Sequence, residues 1–274
     1  MSIVEPAKLQ RTHHCERVPA RVINLRSEAT RRTRILGDLE AAGGFRVSLV
    51  EAVDGKLLPD DDLLRNTSVQ EILNRSGRRM TRGEIGCSLS HRAAYHDLLD
   101  SSDPWTLVLE DDAKLDTDAA AVLAAADPWL TDTHPRLLLL TPLRGFLRKS
   151  GVPLTNRVQR VQVTRAWDGA GYALNRAAAA VLAELNTPVS LMADDWIAYR
   201  GRSNLELAGV DPFVVWQGAS IRSTMEAERI VSRTSKQRTL MYRLQRLQQN
   251  VRRVVLERLW WRPFWGHDTH RSRD

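Results

Sequence analysis

Trp105-Thr106-Leu107-Val108-Leu109-Glu110-Asp111-Asp112-Ala113 is the stretch that decides the fold. An apolar, partly β-branched run passes directly into three consecutive acids. A buried strand ending in carboxylates is costly: like charges repel, and a buried carboxylate without a partner shifts its pKa or draws in a cation. At the carboxyl end of a central strand in an open α/β sheet, such acids face the ligand crevice. The partner this predicts is a hard divalent cation held together with a phosphate-bearing substrate. On an extended segment, residues two apart point the same way. Glu110 and Asp112 can therefore face one ion while Asp111 faces away. The bland alternative is a solvated turn beside a helix N-terminus.

Outward from this stretch the chain alternates strands and helices. Residues 21–25 read as a first strand. Ser27 is expected to cap a basic amphipathic helix running to about Ala42, which Gly43-Gly44 ends. Residues 45–50 make a second strand, so strand, helix and strand form a βαβ unit with a parallel pair. Thr81-Arg82-Gly83-Glu84 matches a capping box that opens a helix to about Leu99. After the acidic strand, Asp116 is expected to cap an Ala-rich helix. Residues 136–141 form a buried strand, 145–155 a loop, and 158–163 an exposed or edge strand. Asp168-Gly169-Ala170-Gly171-Tyr172 lies in a Gly-rich bend or strand, and Asn175 caps the next Ala-rich helix. Asp194-Asp195 is a second acidic pair.

Length and composition fit one large α/β domain: 274 residues, 43% hydrophobic, suffice for a sizeable core. Residues 1–20 are expected to be a flexible arm without the apolar run of a secretory signal. Two cysteines, Cys15 and Cys87, are too few for a disulfide framework or a metal cluster, and a reduced, cytoplasmic setting fits. The net charge of +7 is uneven. Residues 233–274 hold eleven Lys and Arg against three Asp and Glu, so the body is near neutral and the tail basic. A nucleic-acid-binding core is not indicated. In the tail, Leu240, Leu244, Leu247, Val251 and Val254 recur at helical spacing, and Trp260-Trp261-Arg262-Pro263-Phe264-Trp265 follows. Such a basic amphipathic helix with terminal aromatics reads as an anchor on an anionic membrane surface. A helix docked on its own domain, or a dimerisation helix, is the alternative.

Several blocks together resemble glycosyltransferase family 25, the family of bacterial lipooligosaccharide galactosyltransferases and collagen galactosyltransferase domains. They are Val22-Ile23-Asn24-Leu25, Glu51-Ala52-Val53-Asp54-Gly55 and Gly83-Glu84-Ile85-Gly86-Cys87-Ser88-Leu89-Ser90-His91. Leu107 to Ala113, Gly171-Tyr172-Ala173-Leu174 and Asp194-Asp195-Trp196 follow in the same order. The resemblance covers residues 21–223 and leaves the tail outside. It implies a GT-A-like nucleotide-sugar-binding fold over residues 21–232 with a mostly parallel central sheet, to which the reading of the tail adds a C-terminal amphipathic helix. It also implies a UDP-sugar donor, with galactose the expected sugar, and a glycan or glycolipid acceptor. Mn²⁺ or Mg²⁺ would sit at Glu110 and Asp112. An inverting enzyme needs a base near the acceptor hydroxyl, and Asp194 or Asp195 is the candidate; capping of a short helix is the other use of that pair.

Other positions keep two readings. Asn24 and Asp54 contact the donor or merely form turns, and Asp111 is a further candidate donor contact. Glu84 lines the donor site or closes the capping box. His91 is a ligand contact or a hydrogen-bonded core histidine. Arg78, Arg79 and Arg82 steer the diphosphate or form a solvated face. Outside catalysis, a transferase-like domain serving as a peripheral membrane scaffold is the alternative function.

Overall fold

A computed structural model describes residues 17–218, Leu247 and the pair Trp265–Gly266. Its centre is a nine-stranded sheet in the order β11-β6-β7-β9-β5-β8-β3-β1-β2. The strands nearest the acids are β1 (Val18–Asn24), β2 (Phe45–Glu51), β3 (Trp105–Glu110) and β8 (Gly171–Asn175). Beyond them lie β5 (Arg136–Leu139), β6 (Gly145–Pro153), β7 (Gln159–Arg165), β9 (Glu206–Asp211) and β11 (Trp265–Gly266). Strand β1 pairs in parallel with both β2 and β3, as the βαβ reading requires.

Beyond β3 the sheet is mixed, which corrects the mostly parallel expectation. β8 runs antiparallel between β3 and β5, and β7 lies antiparallel to both β6 and β9. Strands buried on both faces carry the same apolar pattern whichever way they run, so direction was not legible. Two further expectations change with this. Residues 145–153 are a strand rather than a loop, and β7 is therefore interior. The Arg148-Lys149-Ser150-Gly151 stretch hid β6, because it bulges where the register shifts between Leu147 and Val152.

Helices cover both faces. On one lie α1 (Ala29–Ala42) and α5 (Ala119–Leu130); on the other, α4 (Arg82–Asp100), α6 (Arg176–Leu185) and α7 (Trp196–Arg202). β3 alternates between the two cores. Leu107 and Leu109 pack with Ile35, Leu39, Val122 and Leu123, whereas Val108 packs with Tyr95, Leu98, Tyr172 and Trp196. Burying both sides of β3 fixes its register, so its last residue must emerge at the sheet rim.

The caps divide. Thr81 and Glu84 make the expected capping box, and Asn175 accepts from Ala178 N. Ser27 does not cap α1, whose N-cap is Glu28 without a side-chain bond, and Asp118 rather than Asp116 stands at the N-cap of α5. Asp116 instead braces that turn by accepting from Asp118 N at 3.1 Å. Short helices α2 (Asp60–Asn66) and α3 (Val69–Ser76) fill the segment before α4. Among the described residues no helix is long and apolar enough to cross a membrane. The expected amphipathic helix of the tail falls outside the described residues.

Candidate active site

The acidic turn is pinned from three sides. Glu110 N donates to Ala170 O at 3.0 Å, and Gly218 N donates to Asp112 O at 3.1 Å. Arg34 Nη2 donates to Asp111 O at 2.7 Å. A two-stranded ribbon of β4 (Ala113–Leu115) and β10 (Val215–Gln217) closes behind it. The three side chains then diverge as alternation predicts. Asp111 turns toward α1, where Asn24 Nδ2 donates to it at 2.7 Å and Arg31 lies at 3.5 Å. Burial raises its pKa, while Asn24 and Arg31 pull it back down.

Glu110 and Asp112 face elsewhere. The Oδ1 atom of Asp112 is buried without a hydrogen-bond partner among the described residues. Burial, followed by repulsion from Glu110 and Asp111, pushes the Asp112 carboxyl up to about 6. An orphaned anionic oxygen is expensive in a folded core, and a cation is what relieves it.

Asp168 is a further member of the cluster that the sequence reading did not single out. It sits between β7 and β8 with φ +126°, in a region where residues other than glycine are strained by about 1–3 kcal/mol. Its backbone oxygen accepts from Trp196 Nε1 at 2.9 Å, and its own Oδ1 accepts from Ala170 N at 2.9 Å. Burial pushes the carboxyl up to about 7, with repulsion from Glu110, Asp194 and Asp112 adding to it. Glu110, Asp112 and Asp194 thus bear on Asp168 at the rim of β3. The one sequence signal was an acid inside the Gly-rich run before β8; only the topology places that run beside Glu110.

The second acidic pair splits. Asp195 is bound by Arg75, whose Nε donates at 2.9 Å and whose Nη2 also contacts Oδ2. Asp194 is the member whose charge reaches Asp168.

His91 links the cluster to the core. It is 1% exposed. Its Nε2 lies 3.1 Å from Glu110 Oε1 and its Nδ1 2.7 Å from the Tyr172 hydroxyl, which donates on to Tyr95 at 3.1 Å. His91 is thus a buried, hydrogen-bonded histidine whose ring borders the cleft.

A cleft of about 250 Å³ opens beside the acids, walled by Ile23, Arg31, Asp54, Gly55, His91 and Asp112 among others. Asp54 Oδ1 accepts from Lys56 N at 2.9 Å, so the residue both forms a turn and lines the cleft. Backbones touch here: a Cβ on Gly55 would stand 1.8 Å from Arg82 O, and one on Gly86 would stand 2.6 Å from Val53 O. That contact explains the glycines on both sides of the Asp54 turn and the first turns of α4.

Glu84 faces away from the cleft. Its carboxylate accepts from Thr81 N at 2.9 Å and from both Arg78 Nη atoms at 2.6–2.7 Å. Arg82 likewise is held by Leu58 O and Asp60. The arginines beside the acids are Arg31 and Arg34 of α1, one helical turn apart.

The family model described as "Glycosyltransferase family 25 (LPS biosynthesis protein)" matches residues 18–197. The chain belongs to glycosyltransferase family 25. Human procollagen galactosyltransferase 2 is 39% identical over 105 residues, covering 35% of this chain and 16% of that protein. The matched stretch thus spans about a sixth of that relative's length. The human inactive glycosyltransferase 25 family member 3 is 30% identical over 133 residues, covering 42% and 22%. The Haemophilus influenzae lipooligosaccharide biosynthesis protein lex-1 is 24% identical over 208 residues, covering 67% and 68%. Among solved structures, a putative glucose-1-phosphate thymidylyltransferase from Bacillus anthracis aligns with a TM-score of 0.40 at 10% identity. It covers 79% of this chain and 95% of that one, and a likeness that loose carries no argument.

Proposed function

We propose that this family 25 chain is a glycosyltransferase moving a hexose, galactose on our reading, from a UDP-sugar to a glycan or lipooligosaccharide hydroxyl. One observation carries the reading: the buried, mutually repelling carboxylates at the rim of β3, with an orphaned oxygen on Asp112. All-oxygen donors that repel until charge arrives fit a hard cation. Glu110 and Asp112 would hold Mn²⁺ or Mg²⁺, which would offset the charge of the diphosphate leaving group.

The chain's own groups do the rest. The cleft on the β1–β2 side would take the nucleotide, with Arg31 and Arg34 adding positive charge beside it. Asn24 and Arg31 hold the Asp111 carboxylate on the α1 side of the turn. On the opposite, β8 side, Asp194, whose charge bears on Asp168 beside Glu110, is the candidate to accept the proton of the attacking hydroxyl. The basic tail would hold the enzyme on an anionic, cytoplasmic membrane face, where a glycolipid acceptor is presented.

A second reading, a transferase-like scaffold without catalysis, takes support from the relative named as inactive. A screen of UDP-sugars with Mn²⁺ and glycan acceptors, reading released UDP, separates the two. The transferase reading expects turnover with one UDP-hexose and none in Asp112→Ala, with the circular dichroism of the fold retained. UDP binding without release from any donor would favour the scaffold.

A further inference from the structure

One set of side chains carries chemistry that a hard-cation transferase does not use. Cys87 and His91 stand at i and i+4 on α4 and so project from one face. Cys87 Sγ, a His91 ring nitrogen and a Glu110 carboxylate oxygen all lie within 4.8 Å of one another. Thiolate, imidazole and carboxylate together suit Zn²⁺ better than Mg²⁺ or Mn²⁺, because the sulfur donor is soft. Donors around a tetrahedral Zn²⁺ sit about 3.5 Å apart, given Zn–S near 2.3 Å and Zn–N near 2.0 Å. His91 Nε2 and Glu110 Oε1 are already 3.1 Å apart. Closing the thiol onto them takes roughly 1 Å of side-chain movement.

Without a metal, His91 Nε2–H donates to the Glu110 carboxylate, which can only accept. Zn²⁺ at Nε2 would take the place of that proton, which moves to Nδ1, and Nδ1–H would then donate to the Tyr172 hydroxyl 2.7 Å away, the tautomer a metal ligand needs. Gly169 keeps the space clear: a Cβ there would stand 3.2 Å from Glu110 Oε1 and 3.4 Å from His91 Cε1.

We propose that Cys87, His91 and Glu110 form a Zn²⁺ site whose fourth position opens to the cleft, and that Zn²⁺ there withdraws Glu110 from the Glu110/Asp112 pair. On binding, the Cys87 S–H bond breaks, its proton passes to solvent, and the thiolate bonds the metal. The first half stands on this geometry alone. The second half, that Zn²⁺ inhibits, rests on the transferase reading above.

The test uses the full chain, stripped with EDTA and dialysed, with Co²⁺ as the spectroscopic stand-in for Zn²⁺. Because Cys15 follows His13 and His14 in the sequence, all measurements are made in a His13→Ala, His14→Ala, Cys15→Ser background. The proposal expects one equivalent of Co²⁺ with a thiolate-to-cobalt charge-transfer band that added Zn²⁺ displaces. The band should vanish in Cys87→Ser, and His91→Gln should weaken Co²⁺ binding by about 10-fold or more. No band in this background, a band surviving Cys87→Ser, or unchanged affinity in His91→Gln would overturn the site. If Cys87→Ser does not fold, alkylation of Cys87 by iodoacetamide decides. A rate cut about 10-fold or more by Zn²⁺ supports the site, and an unchanged rate overturns it. With Mn²⁺ fixed, Zn²⁺ should slow UDP release; release indifferent to Zn²⁺ overturns the sharing of Glu110. A chain that releases no UDP at all refutes the transferase reading, and the cobalt spectrum still decides the site.

Discussion

Asp168→Asn removes one charge from the acidic rim and keeps an oxygen to accept the Ala170 N–H. Asparagine also tolerates a positive φ about as well as aspartate does. The wild-type carboxyl is pushed from 3.8 up to about 7, first by burial and then by Glu110, Asp194 and Asp112. Its folded pKa lies above the unfolded value, so the native state binds this proton more tightly than the unfolded chain does. The stability from this group is therefore full below about pH 4 and lost as pH rises toward about 7. The rise from 3.8 to about 7 corresponds to about 4 kcal/mol. Repulsion between Asp168 and those three carboxylates relaxes on its removal, and about half of that, roughly 2 kcal/mol, is expected. For a chain of this size that is about 4–8 °C in melting temperature. Thermal melts in EDTA, followed by circular dichroism between about pH 5 and about pH 8, give the readout. The variant should gain on wild type as pH rises, and added Mn²⁺ should stabilise wild type more than the variant. A variant less stable than wild type at the top of that range, or a gap that ignores pH, would refute the reasoning.

Other substitutions separate chemistry from scaffolding. Asp194→Asn should lower kcat by about 100-fold or more with little change in donor KM, as expected of a lost base. Asp195→Asn should instead cost about 1 kcal/mol of stability by releasing Arg75, with a smaller effect on kcat; equal kcat losses would reverse the assignment. Gly55→Ala forces a Cβ to 1.8 Å from Arg82 O and should cost about 3 kcal/mol or more in urea unfolding. Removing residues 233–274 should abolish flotation with anionic liposomes, and undiminished flotation would move the membrane contact to the body of the protein.

What the sequence made legible follows from local physics. The β3 run, the capping box of α4 and the Asn175 cap each depend on neighbours within a few residues, so composition and spacing suffice to read them. The divergence of Asp111 from Glu110 and Asp112 followed from strand alternation alone. What escaped depends on chain-distant partners. The direction of β8 is invisible in an apolar pattern, and β6 hid behind a polar bulge. Asp168 gained meaning only when β8 lay beside β3, and the pairing of Asp195 became visible only when Arg75 of α3 came to meet it. Glu84 carried two readings because a capping box and an active-site acid look alike in one dimension; the grip of Arg78 favours the first.

Calorimetric titration of the metal-free chain with UDP, repeated with Mn²⁺ present, tests the central claim most directly. The account predicts tight UDP binding only with Mn²⁺, lost in Asp112→Asn and unaffected by Asp195→Asn. UDP binding that is equally tight without metal, or that survives Asp112→Asn unchanged, would contradict it.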